Sequence, residues 1–277
     1  MPHPLPDVSN APISDLVSLR GRRAVVTGGT QGLGRAICER LAEAGADLLI
    51  VDLDATRATA AADEIAAKHG TRAMGAAADV SVADSISAAA ARAAAELGGI
   101  DIWVNNAGIF PNAPVLDMPV EMWDQVFAVN ARGTFLGSRE AAKHMSGNTS
   151  GGVIVNVIST AGFTVGFPGM AAYASSKHAA RGLTKSLALD LAPMGIRVLG
   201  VAPSYVPTEG NIAAAAAGME AAKAAGVELP ELDVMNHSLI GRTGTPDDIA
   251  RVVLFAASDL SMIMTGSTLL ADAGETI

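Results

Sequence analysis

From residue 22 onward, short apolar runs alternate with longer helical stretches, and this alternation restricts the fold more than any other feature of the 277 residues. Runs at 24–27, 48–51, 73–78, 100–104, 153–158, 196–201 and 268–271 read as strands. Stretches at 33–44, 55–69, 82–97, 120–145, 172–191 and 246–258 read as helices. Leu48-Leu49-Ile50-Val51 is apolar without alternation, as in a strand covered on both faces. Gly45, Gly70, Gly98 and Gly195 stop helices, and Pro246, Asp247 and Asp248 start one. Strands that alternate with helices in this way build one parallel sheet with helices on both faces. No repeat, linker or shift of composition divides residues 21–277, so a single α/β domain is expected there. Residues 1–20 read as an irregular leader, favoured as an arm on a neighbouring subunit because Ile13, Leu16 and Val17 need burial.

Charge and composition exclude several partners. The net charge is −9 and the longest basic run is the pair Arg22 and Arg23, so nucleic acid is not an expected partner. The N-terminus has neither a basic start nor an apolar segment, and no apolar run reaches the length of a membrane span. A cytoplasmic setting with no membrane partner is the resulting expectation. The one cysteine, Cys38, lies in an apolar helical pattern and reads as a buried thiol. No metal site is expected.

Thr27-Gly28-Gly29-Thr30-Gln31-Gly32-Leu33-Gly34 joins the first strand to the first long helix. Glycines there allow turns that a Cβ forbids and let the backbone approach a pyrophosphate. The helix start then offers free N–H groups and a positive dipole end to the phosphates. A glycine-rich loop alone is weak support, and this spacing departs from the G-x-G-x-x-G order; its place between a buried strand and a helix strengthens it. The expected architecture is a Rossmann-type doubly wound parallel sheet of about seven strands. Asp52 ends the second strand, where a carboxylate accepts hydrogen bonds from adenosine ribose hydroxyls and repels a 2′-phosphate. Leu53 follows it, and no Arg or Lys lies in 27–33, so NAD is expected over NADP.

Tyr173 and Lys177 stand i, i+4 on a predicted helix and share a face. Such a pair is ordinarily solvated; beside a parallel sheet's carboxyl edge it acquires chemistry. An ammonium near a phenol lowers its pKa from about 10 toward the range of a general base. Ser159 ends a buried strand, where it can hold a substrate oxygen beside Tyr173.

With Asn105-Asn106-Ala107-Gly108 after the fourth strand and Asn130 in the following helix, the chain resembles the short-chain dehydrogenase/reductase family over about residues 19–274. The resemblance implies that Tyr173 is the acid/base, that Lys177 tunes it and meets the nicotinamide ribose, and that Ser159 orients the substrate. It implies that Asn130 holds a water relaying protons from Lys177. It assigns cofactor contacts to Gly28, Gly29, Gln31, Gly32, Leu33, Gly34, Asp52 and Leu53. Further contacts fall to Asp79 and Val80, to Asn106, Ala107 and Gly108, to Tyr173 and Lys177, and to Pro203, Val206 and Thr208. Three departures stand out: Ser204 follows Pro203 where the family has glycine, Ile158-Ser159-Thr160 leaves Thr160 as the alternative to Ser159, and Ala273 replaces a glycine.

The resemblance implies hydride transfer between a nicotinamide and an alcohol or ketone. Phe163, Phe167, Met170 and residues 204–237 are expected to line the pocket, with 204–237 closing as a lid. No Arg or Lys occurs from Thr160 to Met170, and Lys223 is the one Lys or Arg between Ser204 and His237. A neutral small-molecule substrate (secondary alcohol, ketone, polyol, sugar or steroid-like) is therefore expected over an anionic one. His237 reads as a surface histidine. The alternative is a non-catalytic NAD-binding sensor or scaffold, which would have no need of Asn130, Ser159, Tyr173 and Lys177 together. A homotetramer or homodimer is implied by the resemblance and suits the small residues Gly133, Gly137, Ala141, Ala179, Ala180 and Gly182.

Overall fold

The computed structural model describes residues 5–212 and 238–277. Seven strands, β1 (Arg23–Thr27), β2 (Asp47–Asp52), β3 (Ala73–Ala77), β4 (Ile102–Asn105), β5 (Gly152–Val157), β6 (Ile196–Pro203) and β7 (Thr268–Ala271), form one sheet in the order β3-β2-β1-β4-β5-β6-β7. Every pairing is parallel. The order reverses between β1 and β4, so the loops leaving those neighbours run in opposite directions. A crevice opens at their carboxyl ends, where ligands bind in open α/β sheets.

The helices are α1 (Ile13–Val17), α2 (Gly32–Glu43), α3 (Ala55–His69), α4 (Ala83–Leu97), α5 (Val120–Phe127), α6 (Gly133–Met145), α7 (Ala171–Leu191) and α8 (Pro246–Ala257). Successive strand residues point to opposite faces. Ala24 and Val26 pack with α2, α3 and α8 through Ile37, Ile65 and Val253; Val25 and Trp103 pack with α4, α6 and α7 through Ile86, Leu136 and Leu187. With few large side chains, the helices ride close to the sheet. A Cβ on Gly75 of β3 would stand 2.3 Å from the Ala58 carbonyl carbon of α3.

Local signals set several boundaries. The Asp54 carboxylate accepts from the N–H groups of Thr56 and Arg57 at the start of α3, and left-handed Gly70 ends it. Thr245 and Asp248 form a capping box on α8, with Pro246 in the first turn. Its carboxyl end is met by Arg197 of β6, buried, whose guanidinium donates to the carbonyls of Ala256, Ser258, Ser261 and Met264 at 3.1–3.4 Å.

Two expectations are corrected. The stretch 120–145 is not one α-helix, because a π-turn at Ala128–Arg132 separates α5 from α6. Residues 1–20 are not simply an irregular leader: they contain α1, which packs against the turn Asp259–Ser261 of its own chain. Leu19 is buried in the core beside α2, and Leu16 and Val17 are half-buried within the same chain, while Ile13 stays exposed. Cys38 is buried, and burial pushes its thiol up. No described helix is long and apolar enough to cross a membrane. Among the described residues no cluster of three His, Cys, Asp or Glu could hold a metal.

Candidate active site

The turn after β1 is built to leave room for a ligand. Gly28 has φ +65° and Gly32 φ +54°, conformations that side chains other than glycine rarely adopt. A Cβ on Gly34 would fall 1.9 Å from the Gly28 carbonyl oxygen, and one on Gly29 2.8 Å from Ile50 Cγ2. The Gln31 side chain makes no cap bond to α2, so the first N–H groups of this twelve-residue helix have no side-chain partner. A bare, anion-ready cradle of this kind fits the pyrophosphate of a dinucleotide. Asn106 stands behind the turn. Its Nδ2 donates to the carbonyls of Thr27 and Gly28 at 3.0 Å, while the N–H groups of Asn106 and Ala107 donate to Thr27 Oγ1. The Asn106 side chain thus braces the loop. Thr27 was not among the sequence-predicted contacts, although it opens the loop.

Asp52 lies at the carboxyl end of β2, half-buried, and accepts from Thr30 Oγ1 at 2.5 Å and from the N–H of Leu53 at 2.9 Å. Leu53 projects into solvent, 74% exposed. Asp79 follows β3 and accepts from the N–H and hydroxyl of Ser81, and Val80 packs where the π-turn meets α6, against Gly133. On the other side of the crevice Pro203 ends β6, Val206 is buried, and Thr208 leans toward Gly32. Asn211 fixes that segment, its Nδ2 donating to the Val206 carbonyl at 2.7 Å. Residues 213–237, with His237 and most of the expected lid, lie outside the described residues.

Beyond β4 and β5 the four polar residues singled out by their pattern converge. Ser159 leaves β5 in an extended conformation and caps the turn Thr160–Gly162 by accepting from Ala161 N. Tyr173 and Lys177 project from the first turns of α7, with the Ser159 hydroxyl on the Tyr173 side of the turn that follows β5, near enough to act on its phenol. Thr160 is buried in that turn; Ser159 is the hydroxyl brought to Tyr173. Lys177 Nζ donates to the Val157 carbonyl at 3.0 Å and lies 5.7 Å from the centre of the Tyr173 ring. A Cβ on Gly108 would stand 3.6 Å from Lys177 Nζ, so the chain after β4 passes directly over the ammonium.

Asn130, in the π-turn, is 1% exposed. Its Oδ1 accepts from Ile109 N at 2.9 Å, and its Nδ2 donates to the Ile109 carbonyl at 2.8 Å and to Ser176 Oγ at 3.0 Å. Ser176 Oγ in turn donates to the Tyr173 carbonyl at 2.7 Å. Both amide hydrogens are engaged within the chain, and the Asn130 carbonyl accepts from Thr134 Oγ1 at 2.7 Å. Ser176, missed in the sequence, ties the π-turn to α7; its place beside Lys177 was the available signal.

The electrostatics correct one expectation. Burial pushes the Tyr173 phenol above its ordinary value, partly opposed by the nearby Ser159 hydroxyl, and burial lowers Lys177 to about 8. In the chain by itself, nearness of Lys177 does not hold the phenol below its ordinary value, and desolvation is the largest influence on it.

The rim is apolar and aromatic. Phe110 packs edge-on to Tyr173 with ring centres 6.3 Å apart, and Arg181 covers Phe163 at 3.7 Å. The loops after β4 and β5 are joined by Ala113 N donating to the Gly169 carbonyl at 3.1 Å. Phe110, Phe167 and Tyr205 are 40–44% exposed, and Met170 is buried beneath Tyr173. Only 4% of the chain is aromatic, so this concentration at one sheet edge shapes what can enter.

Comparison with known proteins agrees with this geometry. A family model described as short chain dehydrogenase matches residues 22–218. The chain is 37% identical over 258 residues to the 3-oxoacyl-[acyl-carrier-protein] reductase FabG of Aquifex aeolicus, covering 93% of this chain and 98% of that one. It is 38% identical over 260 residues to the D-threitol dehydrogenase of Mycolicibacterium smegmatis, covering 94% of each. A short-chain type dehydrogenase/reductase from Mycobacterium marinum superposes with TM-score 0.85 at 34% identity, covering 96% of this chain and 99% of that one.

Proposed function

The chain belongs to the short-chain dehydrogenase/reductase family, and from that premise we propose that it is an NAD-dependent oxidoreductase acting on a neutral secondary alcohol or ketone. The observation that carries the reading is the meeting of Ser159, Tyr173 and Lys177 beside the side-chain-free cradle of Gly28, Gly29 and Gly34. In oxidation, the Tyr173 phenolate takes the proton of the substrate hydroxyl. In reduction, the Tyr173 phenol gives its proton to the substrate oxygen as negative charge develops there. Ser159 holds that oxygen in line with Tyr173. The nicotinamide, when bound, accepts or supplies the hydride. Lys177 keeps one ammonium hydrogen on the Val157 carbonyl and has others for a ribose hydroxyl. Gly28, Gly29, Gln31, Gly32, Leu33 and Gly34 would hold the pyrophosphate. Asp52, Leu53, Asp79, Val80, Asn106, Ala107 and Gly108 would line the adenosine side, and Pro203, Val206 and Thr208 the nicotinamide.

Asp52 supports NAD, since a carboxylate at the strand end repels a 2′-phosphate. The apolar rim of Phe110, Phe163, Phe167 and Met170 supports an uncharged substrate. We also infer a homodimer or homotetramer, because Val120, Trp123, Phe135 and Leu189 leave apolar surface on α5, α6 and α7.

Absorbance of the reduced nicotinamide band tests the catalytic reading, across secondary alcohols, polyols and hydroxysteroids, with wild type and Tyr173→Phe. Turnover with NAD that disappears in Tyr173→Phe supports it. Turnover undiminished in Tyr173→Phe, or tight NAD binding with no turnover over a broad panel, would turn the reading toward another base or a binding-only protein.

A further inference from the structure

One apolar corner of the crevice beside Tyr173 stays open among the described residues. Phe110, on the loop after β4, stands edge-on to Tyr173 with 43% of its surface exposed. Phe167, on the loop after β5, is as exposed. The two loops are tied together close to both rings, where Ala113 N donates to the Gly169 carbonyl. Gly169 makes that tie in a left-handed conformation, φ +86°, so it is built into the turn. Met170, Ala161 and Ala174 pack against Tyr173 as a small apolar cluster of their own. No Asp, Glu, Lys, Arg or His occurs from Asn106 to Leu116 or from Thr160 to Ala172. One turn beyond Lys177 on α7, Arg181 lies over the Phe163 ring and donates to the Gly162 carbonyl. Polar side chains on the two loops are nearly as scarce. Asn106 braces the glycine-rich loop, Thr160 is buried in its turn, and Asn112 and Thr164 are exposed.

An alcohol or ketone held by Ser159 and Tyr173 brings its carbon skeleton within reach of Phe110, the one ring paired with the phenol among the described residues. A polyol chain there would exchange water for aromatic carbon, and each hydroxyl left without a partner costs about tenfold in affinity. An apolar ring gains instead, by about fourfold for each methylene taken from water, and its face can lie on an open phenyl. Phe110 leaves about 90 Å² open, taking about 200 Å² for the whole side chain. At the usual strength of apolar burial, covering all of it is worth up to about fortyfold, and covering rather more than half about tenfold. We infer that this corner seats an apolar ring, so that the substrate is a secondary alcohol or ketone carried on a carbocycle, with Phe110 as the residue that selects it over an open-chain polyol. This rests on the oxidoreductase reading above and narrows its neutral substrate to one chemical class.

The test compares kcat/KM for isopropanol, cyclohexanol, cyclohexanols bearing a methyl or ethyl group opposite the hydroxyl, and xylitol, in wild type, Phe110→Ala and Phe110→Leu. Wild type is expected to favour cyclohexanol over xylitol by about a hundredfold or more and to gain about fourfold with each added carbon. In Phe110→Ala the ratio of cyclohexanol to isopropanol falls about tenfold, mostly through KM for the ring, and Phe110→Leu recovers part of that loss. If Phe110 only props Tyr173, kcat falls for both alcohols together and the ratio stays unchanged; that result overturns the inference and leaves the oxidoreductase reading intact. Xylitol turned over as well as cyclohexanol by wild type does the same. Saturation-transfer NMR of cyclohexanone with NAD, a pair that cannot react, reads the site without turnover. The ring protons should receive saturation from wild type and much less from Phe110→Ala. Such transfer with no turnover of any alcohol overturns the catalytic reading and leaves the ring site standing, whereas neither transfer nor turnover overturns both. A lower melting temperature in Phe110→Ala does not remove the test, because the ratio is measured on one protein.

Discussion

Replacing Asn130 by leucine should loosen the active site from within. The side chain is almost completely buried and makes three hydrogen bonds, two to the backbone of Ile109 and one to the Ser176 hydroxyl. Leucine is close in volume, so packing changes little and the loss is polar. Three such bonds at about 1 kcal/mol each give about 3 kcal/mol. Unpaired buried groups add to this; water reaching half-exposed Ile109 offsets part of it. Against a typical stability of roughly 5–15 kcal/mol, that is a large fraction. Urea unfolding measures it directly, as a midpoint lowered by about 1 M or more at constant slope. A cycle with Ser176→Ala isolates one arm of the clamp: the cost of Asn130→Leu should shrink by about 1 kcal/mol when Ser176 is already gone. A cost under about 0.5 kcal/mol, or no coupling to Ser176, would falsify the clamp and return Asn130 to a role in proton transfer alone.

Three further outcomes follow from the same geometry. Gly34→Ala should weaken NADH binding about tenfold or more, because its Cβ meets the Gly28 carbonyl rather than a side chain that can swing away; unchanged affinity in a fluorescence titration would show that the loop yields freely. Lys177 has its folded-state pKa lowered to about 8, so the unfolded chain holds the extra proton between about pH 8 and its ordinary value near 10.5. Stability therefore rises with pH across that window, and wild type should gain about 1 kcal/mol from pH 7 to 9 relative to Lys177→Met in chemical denaturation; a relative loss contradicts the burial of the ammonium. Arg197→Met should cost about 3 kcal/mol in the same assay, since it strips the guanidinium from the carbonyls at the end of α8, and a neutral result would mean those carbonyls are satisfied by Ser261 and the local turn.

Most of the sheet was legible because its signals are local. The helix Ala55–His69 is marked by Asp54 before it and Gly70 after it, and β7 at Thr268–Ala271 by a short apolar run. Ser159, Tyr173 and Lys177 were legible through strand-end position and helical spacing. Three features were not. One extra residue within 128–132 slips the apolar period of 120–145 by a single position, which does not stand out from the ordinary irregularity of such patterns, so the π-turn is silent in the sequence. Arg57 reaches Thr30 across 27 residues, a contact that only the pairing of β1 with β2 creates. The state of Tyr173 depends on how much water the fold removes, and spacing reports nearness to Lys177 without reporting desolvation.

The π-turn also records a conflict of lengths. Relaxing Ala128–Arg132 to a regular helix with the same residues would turn everything downstream by about 100° about the axis. Gly137 would then leave its slot, where a Cβ would already stand 2.2 Å from Asn105 Oδ1 and 2.7 Å from Trp103 Nε1, and a bulkier neighbour would be driven against the sheet. The extra residue acts as a phase shifter between two halves that answer to different partners, α7 through Asn130 and β4 through Gly137. Substitutions that let this turn relax to a regular helix should therefore misplace Gly137, and a natural relative with a regular helix here would need one residue fewer in the turn.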